Sequence, residues 1–160
     1  MTFSPELETR LETLMRSCPP GREASALIPM LLYAQDETGA LTSEVVEEVA
    51  RRLGITPLQA DEVISYYSML RRRPAGRHHL QICTNVSCML RGGQELYGHA
   101  CKRLGIRNHE VTADGEFSLE EAECLGACSW APAMLVNYDY HQDMTPEKLD
   151  RLIDSLEKKH

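Results

Sequence analysis

A chain of 160 residues, 42% hydrophobic and 26% charged, holds enough apolar content for one ordinary core, or for a core with a small helical module beside it. A formal net charge of -7 argues against nucleic-acid binding, which depends on neutralising phosphates with basic side chains. The longest apolar stretch, Ala26 to Ala34, is interrupted by Pro29 and is far too short to cross a bilayer, so no direct membrane insertion is expected.

From Ser4 to Leu70 the pattern is helical. Ser4 caps a first helix with Pro5 at its first position, and Leu7, Leu11, Leu14 and Met15 recur on one face until Cys18-Pro19-Pro20-Gly21 stops it. A second helix, Arg22 to about Thr38, carries Leu27, Ile28, Leu31 and Leu32. Pro29 removes a backbone donor there and predicts a kink, and Gly39 suits the C-terminal end. Thr42 or Ser43 opens a third helix with Val45, Val46, Val49 and Leu53 inward and Gly54 just past its end; Thr56-Pro57 opens a fourth. Four short amphipathic helices without catalytic residues over residues 1–73 read as a helical bundle or as an arm that docks on a partner. The basic run Arg71-Arg72-Arg73 with Arg77 reads first as a solvated connector and second as a patch for an acidic partner.

Beyond Pro74-Ala75-Gly76 the pattern changes to alternating strands and helices, giving a small α/β sandwich over residues 74–160. His79 to Cys83 reads as a strand and Gln94 to Leu104 as a helix closed by Gly105. Thr112-Ala113-Asp114-Gly115 is a turn, Phe117 to Cys124 a second strand and Ala133 to Asn137 a third. Thr145-Pro146 opens a closing helix with Leu149, Leu152, Ile153 and Leu156. Cys83 and Cys124 then end two strands, and both cysteine pairs occupy loops at an end of the sheet.

Four of the six cysteines form the pattern C-x4-C…C-x3-C: Cys83 with Cys88, and Cys124 with Cys128. Four thiolates suit zinc or an iron–sulfur cluster, because soft sulfur donors favour those centres over magnesium, calcium or manganese. Disulfides are the weaker reading. The sequence Met1-Thr2-Phe3-Ser4-Pro5-Glu6 has neither a basic nor an apolar signal region, so a reducing compartment is expected, where close cysteines serve metals or redox chemistry. The spacing is not that of plant-type or bacterial two-cluster ferredoxins, and by spacing alone structural zinc stays open. A cluster carries negative charge that grows on reduction and calls for backbone N–H donors aimed at sulfur. Gly92, Gly93 and Gly126 are the candidate positions, with ordinary turn glycines as the alternative, most of all at Gly92 and Gly93.

The flanks Cys83-Thr84-Asn85-Val86-Ser87-Cys88-Met89-Leu90-Arg91-Gly92-Gly93 and Glu123-Cys124-Leu125-Gly126-Ala127-Cys128-Ser129-Trp130-Ala131-Pro132 resemble the thioredoxin-like [2Fe-2S] subunit of NADH:quinone oxidoreductase, the NuoE family of respiratory complex I. The resemblance extends to Ala34-Gln35, Tyr66-Tyr67, Pro74-Ala75-Gly76, Asp114-Gly115-Glu116-Phe117 and Thr145-Pro146-Glu147. It implies an α+β or α/β chain, with an N-terminal helical bundle followed by a thioredoxin-like [2Fe-2S] domain. Cys83, Cys88, Cys124 and Cys128 would be the ligands of one [2Fe-2S] cluster. FMN and the NADH site would belong only to a flavoprotein partner of NuoF type, in a cytoplasmic assembly peripheral to the inner membrane. Asn85-Val86 and Ser65-Tyr66-Tyr67 depart from the common family residues without touching a ligand.

Other residues have plainer readings. Cys18 and Cys101 read as spare thiols or core packing. Trp130 reads either as a water shield or as packing under the second loop. A ligand role for His78 or His79 is disfavoured because four cysteines suffice. With neither a nucleotide fingerprint nor a clustered nucleophile and base, the chain is expected to carry electrons without an NADH site of its own. All-cysteine ligation points to a low potential, near the about -400 mV of plant-type ferredoxins. Two rivals remain: the equivalent subunit of an NAD-linked hydrogenase or formate dehydrogenase, and a non-redox zinc module.

Overall fold

The computed structural model describes residues 2–158, and the chain divides between Pro74 and Ala75 into two compact units. The first is helical: α1 (Pro5–Ser17), a 3₁₀ turn (Glu23–Ala26), α2 (Leu27–Thr38), α3 (Ser43–Leu53) and α4 (Pro57–Tyr66). Its helices start where local chemistry satisfies their free N–H groups. Ser4 accepts from the Leu7 N–H, Thr42 from that of Val45, and Thr56 with Gln59 forms a reciprocal capping box. Gly39 and Gly54 end α2 and α3 in the left-handed conformation that favours glycine.

Pro29 does not kink a helix. The 3₁₀ turn takes the segment expected to begin α2, so Pro29 falls in the helix's first turn, where its absent N–H would have had no intrahelical acceptor. Leu11, Met30, Leu31, Leu41 and Val45 form the centre of this unit's core, each fully buried leucine contributing about 1.5–3 kcal/mol. Gln35 is a buried polar side chain among them. Its Nε2 donates to the Met69 carbonyl at 3.0 Å and its Oε1 accepts from the Arg71 N–H at 2.6 Å, so it pins the segment after α4 against α2. Within the basic run, Arg72 pairs with Asp61 and donates to the Leu41 carbonyl at 3.1 Å.

The second unit contains β1 (His78–Cys83), α5 (Val86–Leu90), α6 (Gly93–Leu104), β2 (Glu110–Val111), β3 (Phe117–Ala122), β4 (Met134–Val136), β5 (Asp139–His141) and α7 (Pro146–Glu157). The strands lie in the order β2-β3-β1-β4-β5; β1 and β3 are parallel, and the other pairs are antiparallel. Strand alternation sorts the residues by face. Leu80 pairs with Leu119 and Val136, and Ile82 with Met134; with Leu96 and Ala100 of α6 and Leu149 and Ile153 of α7 they make the core. His79, Gln81 and Cys83 alternate with these residues along β1, as Ser118, Glu120 and Ala122 do along β3.

The strand expected to reach Cys124 stops at Ala122, while β2, β5 and the short α5 inside the first cysteine segment add to the expected elements. Asn137, expected to end a strand, sits at φ 55° in the turn into β5, a conformation asparagine tolerates. Among the described residues no helix is long and apolar enough to cross a membrane.

Candidate metal centre

The parallel register of β1 and β3 pairs Cys83 with Ala122, so the two strands end side by side. Cys83 is the last residue of β1, and Cys124 follows β3 by two positions. Past the strands the ladder continues: the Thr84 N–H donates to the Ala122 carbonyl at 3.2 Å and its hydroxyl to Glu121 at 2.9 Å. Both cysteine loops therefore leave the same end of the sheet, from adjacent strands.

In the first loop, Asn85 starts α5 by accepting from the Val86 N–H at 2.7 Å, and the helix carries Cys88 inward. At Gly93 the chain passes so close to the loop that a Cβ would lie 2.7 Å from the Cys83 carbonyl and 2.8 Å from that of Cys88. Of the two readings of Gly92, donor to sulfur or turn glycine, the second holds. Gly92 turns the chain at φ 91° and donates its N–H to the Met89 carbonyl at 3.2 Å, while Gly93 serves close packing. Gly126, at φ 75°, does direct its N–H at sulfur, 3.4 Å from Cys124 Sγ.

The four thiols form an inner and an outer pair. Cys83 and Cys88 are buried with Ala127, Ala131 and Ala133, whereas Cys124 and Cys128 are exposed. Burial pushes the Cys88 thiol above its ordinary value; a backbone hydrogen bond with Ala133 works the other way, and nearby Cys83 and Cys128 add to the rise. Cys83, Cys88 and Cys128 are thus electrostatic neighbours. Among the described residues, however, no three His, Cys, Asp or Glu side chains are already gathered at metal-binding distance. The donors still fit a tetrathiolate centre: soft sulfurs on adjoining loops, alanines that leave room beside them, and backbone hydrogen bonds at Cys124 and Cys88.

The remaining candidates lie elsewhere. Cys18 packs beside the helical core, and Cys101 lies against the sheet domain's core, where burial and the Cys101 thiol push the Tyr97 hydroxyl up to about 12. Both ring nitrogens of His79 are engaged, Nδ1 with Ser118 Oγ at 2.8 Å and Nε2 with Glu120 at 2.9 Å. His78 packs on the Phe117 ring. Trp130 is 53% exposed and so is not packed under its loop. Two side chains that hold the second loop carry no local sequence signal: Arg91 Nε donates to the Ala131 carbonyl at 2.8 Å, and the Tyr140 hydroxyl to that of Leu125 at 2.7 Å.

The sequence model of the thioredoxin-like [2Fe-2S] ferredoxins matches residues 11–157. The chain belongs to this family. Among relatives of this ferredoxin, the E-type subunit of the NADH-quinone oxidoreductase of Rickettsia bellii (strain RML369-C) is 41% identical over 146 residues, covering 91% of the chain and 87% of the relative. An E-type subunit of the same oxidoreductase from Rhizobium meliloti (strain 1021) is 47% identical over 132 residues, covering 82% and 79%. Among solved structures, an NAD+-reducing [NiFe]-hydrogenase in the H2-reduced state superposes with a TM-score of 0.73 at 21% identity. The match covers 84% of the ferredoxin but 22% of the longer hydrogenase chain, and what it shares is the fold.

Proposed function

We propose that this ferredoxin is the electron-transfer subunit of the NADH dehydrogenase module of an NADH:quinone oxidoreductase, with one [2Fe-2S] cluster held by Cys83, Cys88, Cys124 and Cys128. The observation that carries the reading is the parallel β1/β3 register, which sends both cysteine loops out of one end of the sheet. The names of the relatives support the host complex. When bound, the cluster takes up and releases single electrons; the chain's residues hold it, insulate it and set how readily it is reduced.

Cys83 and Cys88 anchor the buried side, and Cys124 and Cys128 hold the side open to solvent, where a partner's flavin can approach. Electrons would be exchanged there with FMN on an NADH-binding, NuoF-type subunit, and residues 1–73 would be the docking region. The assembly would lie on the cytoplasmic side, peripheral to the inner membrane. The equivalent subunit of an NAD-linked hydrogenase is a second host, favoured by the hydrogenase likeness in fold.

Copurification from the native cell, followed by mass spectrometry and an NADH-oxidation assay, tests this reading. A flavoprotein and quinone-linked subunits should come down with the chain, and NADH oxidation should require the flavoprotein. Recovery of hydrogenase subunits would transfer the chain to the second host, and NADH turnover by the chain alone would contradict the carrier role.

A further inference from the structure

Arg91 joins the two cysteine loops. It closes α5 three positions after Cys88, where its backbone N–H donates to the Cys88 carbonyl at 3.1 Å. Its side chain crosses to the other loop, and Nε donates to the carbonyl of Ala131 at 2.8 Å. Ala131 lies three positions after Cys128, is 1% exposed and shares one buried cluster with Cys83, Cys88, Ala127 and Ala133. The bond therefore runs from the segment holding one inner thiol to the buried wall beside both.

The group making this bond is also a permanent cation. A guanidinium stays protonated under all ordinary conditions and has five N–H donors in a rigid fork, of which the Ala131 bond uses one. Among the described residues no ion pair includes Arg91, unlike Arg52, Arg72 and Arg103. A four-thiolate cluster is negatively charged and becomes more so when reduced. A cation fixed beside it favours the reduced form and raises the potential. Arg91 is itself exposed, so salt should weaken this influence.

We propose that Arg91 is a positioning residue that clips the two cysteine loops together and raises the reduction potential of the cluster they hold. The proposal rests on the [2Fe-2S] reading above. Lysine at this position keeps the charge without the planar fork, and glutamine removes the charge, so the two variants separate the two roles.

The full chain and its Arg91→Lys, Arg91→Gln and Arg107→Gln variants, purified anaerobically with their native centres, are compared by redox titration at low and high salt and by iron release to a chelator. Arg107 is exposed and remote from both cysteine segments in sequence. Arg91→Gln should lower the midpoint potential, with a shift that shrinks at high salt, and release iron roughly fivefold faster, the weight of one net hydrogen bond. Arg91→Lys should stay near the wild-type potential yet release iron faster, and Arg107→Gln should match wild type in both. If Arg91→Gln fails to retain a cluster, Arg91→Lys decides: retention at the wild-type potential with faster iron release supports the proposal, and loss of the cluster or a lowered potential there overturns it, as would both Arg91 variants matching Arg107→Gln. Faster iron release from Arg91→Gln at an unchanged low-salt potential also overturns it. Zinc without labile sulfide in the wild-type chain would instead bring down the underlying [2Fe-2S] reading, and this proposal with it.

Discussion

The hydroxyl of Tyr140 on β5 donates to the carbonyl of Leu125 at 2.7 Å, tying the loop between Cys124 and Cys128 to the hairpin at the sheet's edge. Tyr140→Phe removes that donor and little else. Because the ring is more than half exposed, water can replace part of the bond, and the loss should be about 0.5–1 kcal/mol. The melting temperature should fall by a few degrees, and iron release to a chelator should quicken roughly two- to fivefold. An unchanged release rate would show that the loop is held by other contacts.

The glycines of α6 make a paired test. At Gly93 a methyl group would strike the carbonyls of Cys83 and Cys88, whereas at Gly98 it would meet nothing within 4 Å. Gly93→Ala should displace the first cysteine loop and lose the cluster. Gly98→Ala should retain it and stabilise the chain by roughly 0.5–1 kcal/mol through helix propensity. Visible spectra and thermal melts of the two proteins check both directions.

The helical unit should weaken in acid through Glu48. Hydrogen bonds first from Arg51 and then from Arg52 hold its carboxyl down from 4.5 to about 2, and Arg52 also reaches Glu8 of α1 at 2.8 Å. A carboxyl with a depressed folded value contributes fully above its unfolded value and loses that contribution as pH falls through the folded one. Its share, on the order of 2 kcal/mol after solvent screening, should therefore fade between about pH 4.5 and 2. Melting temperature measured against pH should fall less steeply over that window in Glu48→Gln, from a lower neutral-pH starting point.

The cysteines should divide by place. Serine at Cys83, Cys88, Cys124 or Cys128 should abolish or greatly weaken cluster binding, while Cys18→Ser and Cys101→Ser should keep the visible spectrum, since those thiols pack beside the two cores. Iron and sulfide analysis of the six proteins checks the division; iron loss from Cys101→Ser equal to that from Cys124→Ser would break it.

Local chemistry is legible in the sequence and distant geometry is not. Ser4, Thr42, Thr56 and Thr145 cap helices through bonds to residues three positions on, so the caps can be read directly. That both cysteine loops leave one end of the sheet is legible from the spacing and from two strand ends. Strands of two or three residues such as β2 and β5 are too short for alternation to register, and α5 is a single turn inside a ligand loop. Pro29 shows how much a boundary matters, because a helix start moved by five residues turns an interior proline into a first-turn proline. The crowding at Gly93 and the bonds of Arg91 and Tyr140 join segments separated in sequence, and no local pattern encodes such meetings.

One binuclear cluster per chain is the expected content of the two cysteine loops, and direct analysis of the metal tests it. Protein purified anaerobically and never reconstituted should be red-brown, contain about two irons and two acid-labile sulfides per chain, and give a single-electron paramagnetic signal on reduction. Stoichiometric zinc, without labile sulfide or a paramagnetic signal on reduction, would contradict the account.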